Sequence, residues 1–430
     1  MKRPVSRAKL KAAGRAVLKA GLQAVNPARL MRTSLRVEDG VIHAGRAVIR
    51  AAKRVYVVAV GKASLSMMGA ARAVLGERIS AAIVVSPQPA RRMKGTELWV
   101  AGHPVPDARG VLAGRRVMEL LEQAERGDLV LLLLSGGASA LLPTPKRGVR
   151  LRDKQRITSM LLRRGATIRE MNAVRKQISL LKGGGFARIA APARVVALAL
   201  SDVPGDDPRV IGSGPACEDP EARALARRTM ARLFEPGEVP PSIAAALRGN
   251  RTPSPWKAAR ARTYVIGGGA TFAEAAERKA RELGFDARIL IGGLSGEARV
   301  CGPRLIQEFE HVRGRGATCL IATGETVVRV RGSGIGGRNQ EVALSAAPRL
   351  STSPFPCILM ALGTDGRDGP SKAAGGIVDD TTSAKAALRS LSIRDCLDRN
   401  DSTNALKVLG GLLVTGPTGT NVADITLVMG

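Results

Sequence analysis

The run Leu129–Leu134, LVLLLL, is followed at once by Ser135-Gly136-Gly137-Ala138-Ser139-Ala140. Six apolar residues without polar alternation make a strand buried on both faces, the habit of parallel sheets covered by helices on each side. The small residues that follow put a tight turn at the strand's carboxyl end, where open α/β sheets bind their ligands. Backbone N–H groups of Ser135, Gly136 and Gly137 can approach an anion there, with Ser139 beside them. A turn that simply needs small residues explains one such loop equally well.

The pattern recurs along the chain. Val55–Val60, VYVVAV, runs into Gly61-Lys62-Ala63-Ser64. This is no Walker A loop, which would need Gly at 56 and Ser or Thr at 63. Lys62 is therefore either an ordinary loop charge or an ammonium aimed into a ligand crevice. A shorter strand, 82–85, precedes a Pro-rich turn, and His103-Pro104-Val105-Pro106-Asp107 leads into a helix over 108–126, with His103 open to a basic or a structural role. The strand 194–200 ends in Ser201-Asp202-Val203-Pro204-Gly205-Asp206-Asp207-Pro208, and the strand 358–362 in Gly363-Thr364-Asp365-Gly366-Arg367-Asp368. Acids at strand ends among Gly and Pro are placed as oxygen ligands for Mg²⁺ or as a base near a phosphate. Residues 168–187 read as one helix with Asn172, Arg175, Ser179 and Lys182 on a polar stripe, and Gly183 to Gly185 expose Lys182 to a neighbouring ligand.

A chain of 430 residues is too long for one ordinary core, so two domains are expected. The Pro-, Gly- and Ser-rich stretch 234–262 places the boundary near 245. The second half opens with strand 263–266, a helix and strand 287–291, read as a βαβ unit, and the alternating residues 327–331 read as a half-exposed strand. The glycines of Gly332-Ser333-Gly334-Ile335-Gly336-Gly337 satisfy GxGxxG, but an alternating strand before them is not the buried first strand of a dinucleotide unit.

Charge and cysteines narrow the partner. Sixty-seven Lys plus Arg against 36 Asp plus Glu leave +31. The basic residues are scattered without a tail or nucleic-acid signature, and aromatics are 2%, too few for base-stacking platforms. Small anions are the expected partners, with no nucleic acid and no membrane. Five isolated cysteines fit a reduced cytoplasmic compartment. The Arg-rich helical stretch 8–35 also raises a transit peptide.

Taken together, GKAS at 61–64, HPVPD at 103–107, SGGASALL at 135–142, NAVRKQISLLKGG at 172–184, SDVPGDDP at 201–208 with SGP at 213–215, RGSGIGGRNQE at 331–341, GTDGRDGP at 363–370 and TGPTGTN at 415–421 resemble the ordered motifs of the glycerate 2-kinase family. Some members carry a hydroxypyruvate reductase label. The resemblance implies an α/β fold in two domains: a Rossmann-like α/β/α domain over 1–245 and a smaller α/β domain over 246–430, MOFRL-like from about 318, with the active site in the cleft between them. It makes the N-terminal stretch part of the family domain. The implied reaction moves the γ-phosphoryl of ATP to the 2-hydroxyl of D-glycerate, with Mg²⁺. By the same resemblance Lys62, Arg338, Asp202 and Asp365 are catalytic. Ser135, Gly136, Gly137, Ser139, Lys182, Gly336, Gly337 and Asn339 bind ATP, and Asp202, Asp206 and Asp365 hold the metal. A homodimer is left open. Gln177, Thr323 and Ala423 stand where the family carries His, Gly and Asn, and no aromatic follows Asp401-Ser402. An NAD(P)-dependent hydroxypyruvate reductase is the alternative; it needs a working GxGxxG site, and no acid closes the following strand at the expected spacing.

Overall fold

The computed structural model describes residues 5–248, 260–314 and 316–430. The chain divides into two compact units, one of residues 27–200 with 206–266 and the other of residues 1–26, 201–205 and 267–430. This partition is not the single boundary expected near 245. Part of that stretch is the helix Pro241–Arg248, and residues 249–259 lie outside the described residues.

The first unit opens with a small antiparallel sheet of β1 (Leu35–Glu38), β2 (Val41–Ala44) and β3 (Ala47–Ile49). Its main sheet contains β4 (Val55–Val60), β5 (Ile79–Ser86), β6 (Glu97–Val100), β7 (Leu129–Leu134), β8 (Arg194–Leu200) and β9 (Arg260–Gly267) in the order β6-β5-β4-β7-β8-β9. β4 runs parallel to β5 and β7, β5 to β6, and β7 to β8. This is the doubly wound order, in which the third, second and first strands precede the fourth, fifth and sixth, and it reverses between β4 and β7. Every residue of those two strands is buried, as uninterrupted apolar runs require. Val57, Ala59, Leu131 and Leu133 share a core with Met67 and Met68 of the helix Ser64–Leu75. Truncating one of these leucines to Ala costs about 2–5 kcal/mol.

The second unit carries a mixed sheet of β10 (Asp286–Leu294), β11 (Thr318–Gly324), β12 (Ile358–Gly363), β13 (Gly375–Asp379), β14 (Leu412–Leu413) and β15 (Asp424–Met429), ordered β10-β11-β15-β12-β13-β14. Only β10 and β11 run parallel, around the crossover helix Ala298–Val312. The expected βαβ unit is therefore divided, because β9 closes the first sheet while β10 opens the second. Strands 263–266 and 287–291 are correctly strands, but a local pattern says nothing about which sheet each joins. The N-terminal helix Arg7–Ala24 belongs to this second unit. Gly21 lies so close to the Phe272 ring that a Cβ would stand 2.4 Å from it. Arg7 bonds Asp380 at 2.9 and 3.0 Å, and Lys11 reaches Asp379 at 2.6 Å.

Two further expectations change. Residues 168–187 are not one helix: the first ends at Gln177, and a separate short helix, Gly185–Ile189, starts near the end of that stretch. Beyond Gln177, Leu180 N–H bonds Thr144 O at 2.9 Å and Ser179 bridges Pro145, so the backbone leaves the first helix to pair with the preceding loop. Residues 327–331 form no strand; Val327 makes one isolated bridge to Glu297. Among the described residues no helix is long and apolar enough to cross a membrane.

Candidate functional site

In the first unit the loops after β4 and β7 meet at the point where strand order reverses. Gly61 has φ +128°, and a Cβ there would stand 2.2 Å from Ser135 Oγ, so only glycine permits the approach. Lys62 N–H donates to Gly136 O at 2.9 Å, and Ala63 N–H donates to Ser135 Oγ at 3.0 Å. A Cβ on Gly137 would come within 2.9 Å of the His103 ring and 3.6 Å of Lys62 Cγ. The structure thus gathers Lys62, Gly136, Gly137 and His103 at one strand-end cluster. His103, which sequence reasoning left undecided, belongs to it because the loop of 103–107 folds over the glycines.

Ser135 needs a correction as a nucleotide ligand. Its side chain is fully buried, and its hydroxyl is engaged with Ala63 N–H and Val60 O, so it pins one loop to the other. Lys182 needs one too. It is not displayed by its glycines but buried beneath the turn, donating to the carbonyls of Ser139 at 2.9 Å and Leu142 at 3.4 Å. Lys154 reaches Pro143 O in the same way. Burial, then the nearby cations, push the Lys182 ammonium well below its ordinary value and Lys154 down to about 7. Ser139 shares a 3.0 Å hydrogen bond with Ser213.

In the second unit, Arg338 opens the helix Arg338–Leu350. Its Nε stands 2.5 Å from Asp424 Oδ2, its Nη2 3.0 Å from Asp424 Oδ1, and its Nη1 on Glu325. Burial works against the charge, but the two carboxylates outweigh it and raise the guanidinium above its usual value. Burial pushes the Asp424 carboxyl up to about 7 against the pull of Arg338.

The glycine-rich loop ahead of Arg338 has another purpose than a cofactor. The helix N-terminus is already filled by Asp368, whose carboxylate accepts from Asn339 N–H at 3.1 Å and Gln340 N–H at 2.8 Å. Gly337 is flat against that carboxylate, where a Cβ would stand 2.3 Å from Asp368 Cγ, and Gly332, Gly334 and Gly336 press on residues 399–402. Asn339 is buried. Gly336 and Gly337, expected as nucleotide contacts, pack against Ser402 and Asp368, and Asn339 donates its N–H and Nδ2 to Asp368.

The acids divide. Asp202 accepts from Asn421 Nδ2 at 3.2 Å, and Asp365 O accepts from Thr418 N–H at 3.4 Å, so the loop of 415–421 holds both. Asp206 falls in the other unit, in a left-handed conformation with φ 53°. Among the described residues no three His, Cys, Asp or Glu side chains gather into a metal-holding group. The set Asp202, Asp206 and Asp365 is thus not a preformed cage. Asp424 and Glu325 were missed from the sequence, and Asp368 was read there as a strand-end acid without its role at the helix N-terminus; the one signal for Asp424 is an acid heading a mostly apolar strand.

The likeness to known proteins spans the chain. Residues 13–248 match the Domain of unknown function (DUF4147), and residues 318–424 match the MOFRL family. A D-glycerate 2-kinase of Thermotoga maritima is 43% identical over 87% of this chain and 90% of its own. A glycerate 2-kinase of Pyrococcus horikoshii is 36% identical over 94% of each. A solved glycerate kinase structure from Thermotoga maritima superposes with a TM-score of 0.84 at 40% identity, covering 98% of this chain and 99% of that one. With both family regions present in order and identity sustained across the chain, the protein belongs to the glycerate 2-kinase family.

Proposed function

We propose that the protein transfers the γ-phosphoryl of ATP to the 2-hydroxyl of D-glycerate, giving 2-phosphoglycerate and ADP. The observation that carries this is the 43% identity to a D-glycerate 2-kinase over 87% of the chain. In the reaction the hydroxyl oxygen bonds to the γ-phosphorus, its proton passes to a carboxylate, and the bond to the β-phosphate oxygen breaks. Such chemistry asks mainly for positioning and charge neutralisation.

Lys62 and the backbone of Gly136, Gly137 and Ser139 serve the phosphates in this proposal. Arg338 balances the anionic charge, and Asp202 or Asp365 accepts the proton. Mg²⁺, when bound with the nucleotide, supplies further neutralisation of the phosphate oxygens, and Asp202 and Asp365 are its protein ligands. The proposal places the protein in the cytoplasm, in keeping with five free cysteines, four of them buried.

The reductase alternative loses its site. A dinucleotide pyrophosphate needs the helix N-terminus that GxGxxG leaves open, and Asp368 occupies it. Incubation with ATP, Mg²⁺ and D-glycerate, with products resolved by NMR, tests the proposal. Formation of 2-phosphoglycerate supports it. Exclusive 3-phosphoglycerate, or oxidation of NAD(P)H by hydroxypyruvate without any phosphorylation, overturns it.

A further inference from the structure

Arg338 meets two carboxylates of unlike standing. Asp424 is 1% exposed and heads β15, where its backbone pairs opposite Gly324 of β11 and Gly363 of β12. The Asn339 side chain also bonds its carboxylate. It is fixed from both flanks and cannot leave without dismantling the middle of the sheet. It takes the inner edge of the guanidinium, Nε and Nη2. Glu325 follows the last residue of β11 and its side chain is 51% exposed. Its backbone N–H is anchored to Leu294 O at 2.9 Å, but among the described residues its carboxylate has only the outer Nη1 of Arg338 as partner.

One guanidinium between two carboxylates carries a net charge of about −1, which repels an incoming anion, whereas Arg338 with Asp424 alone is neutral and keeps a free donor. We propose that Asp424 is the permanent positioning residue of Arg338, and that Glu325 is a placeholder on Nη1 that the anionic substrate, a carboxylate or a phosphoryl oxygen, displaces. The inference rests on Arg338 facing substrate, as in the proposed function. Glu325 then tunes affinity: it keeps the fork ordered while the site is empty and must swing into water when ligand arrives.

Steady-state kinetics of Arg338→Ala, Asp424→Asn and Glu325→Gln, with ATP and D-glycerate varied in turn, test this. Glu325→Gln removes the competing charge and should lower KM for one of the two substrates about 3- to 10-fold, with kcat changed less than about 3-fold. Asp424→Asn should lower kcat about 10-fold or more, with Asp424→Glu recovering part of it. A Glu325→Gln enzyme with KM unchanged or raised for both substrates overturns the placeholder role. Asp424→Asn with wild-type kcat and KM overturns the positioning role. If Asp424→Asn does not fold, Glu325→Gln on the exposed side decides alone. Arg338→Ala separates the two levels: unchanged kinetics there refute the reading of Arg338 itself, whereas an impaired Arg338→Ala beside a Glu325→Gln enzyme with unimproved KM refutes only this inference.

Discussion

Arg338 grips both oxygens of Asp424, at 2.5 and 3.0 Å, from the first turn of one helix to the first residue of the central strand β15. Since burial lifts that carboxyl to about 7, it gains a proton as pH falls through that value and its hold on the guanidinium weakens. We expect kcat/KM to decline on the acid side of about pH 7, and this limb to be missing from Asp424→Asn. A pH profile with the same acid limb in both enzymes would count against it.

Lys62 stands between two loops with its own N–H bonded to Gly136 O. If its ammonium serves the transferring phosphoryl, Lys62→Ala should lower kcat about 10²-fold, as for loss of one preorganised charge-stabilising donor. A rise in KM with kcat nearly constant would instead assign it to ground-state binding. Single-turnover measurements with both substrates saturating distinguish these outcomes.

Ser135→Ala probes the joint between the loops. It leaves the Ala63 N–H without its acceptor in a fully buried position, a loss of about 1–3 kcal/mol. Denaturant unfolding should show this as a lower midpoint at unchanged slope. A variant as stable as the parent would mean that water or a shifted loop replaces the hydroxyl.

Lys154 gives the pH dependence of stability a sign. Its folded value near 7 lies below the value of about 10.4 in an unfolded chain, so between those limits the unfolded state binds more protons. Stability from this group therefore rises with pH from about 7 to 10 and is lost as pH falls back through that window. Melting temperatures across this range should show a shallower upward trend in Lys154→Met than in the parent.

The apolar runs carried most of the fold. Val55–Val60, Leu129–Leu134 and Arg194–Leu200 are strands residue for residue, because an unbroken apolar run buried on both faces, headed in the third case by the exposed Arg194, has sharp ends. Short or glycine-rich strands escaped. β13 reads GGIVD and β14 has two residues, and neither has a period long enough to detect. In the site, Gly61-Lys62 and Ser135-Gly136-Gly137 announced themselves by position after strands. The glycines of 332–337 misled, since a glycine that admits a phosphate and one that admits the neighbouring backbone of Arg399 look alike in one dimension. Asp368 and Asp424 were invisible as partners because their meaning lies in long-range contacts to Asn339, Gln340 and Arg338.

The membership of helix Arg7–Ala24 in the second unit sets an order on synthesis. Its apolar stripe of Leu10, Val17 and Leu18 emerges from the ribosome ahead of the first sheet, yet its packing partners Phe272 and Met360 emerge only after that whole sheet has been made. The parallel sheet can form during translation, strand by strand. The helix has to wait, exposed and basic, for the carboxyl-terminal half to arrive, which makes it the segment of the nascent chain most in need of a chaperone's cover.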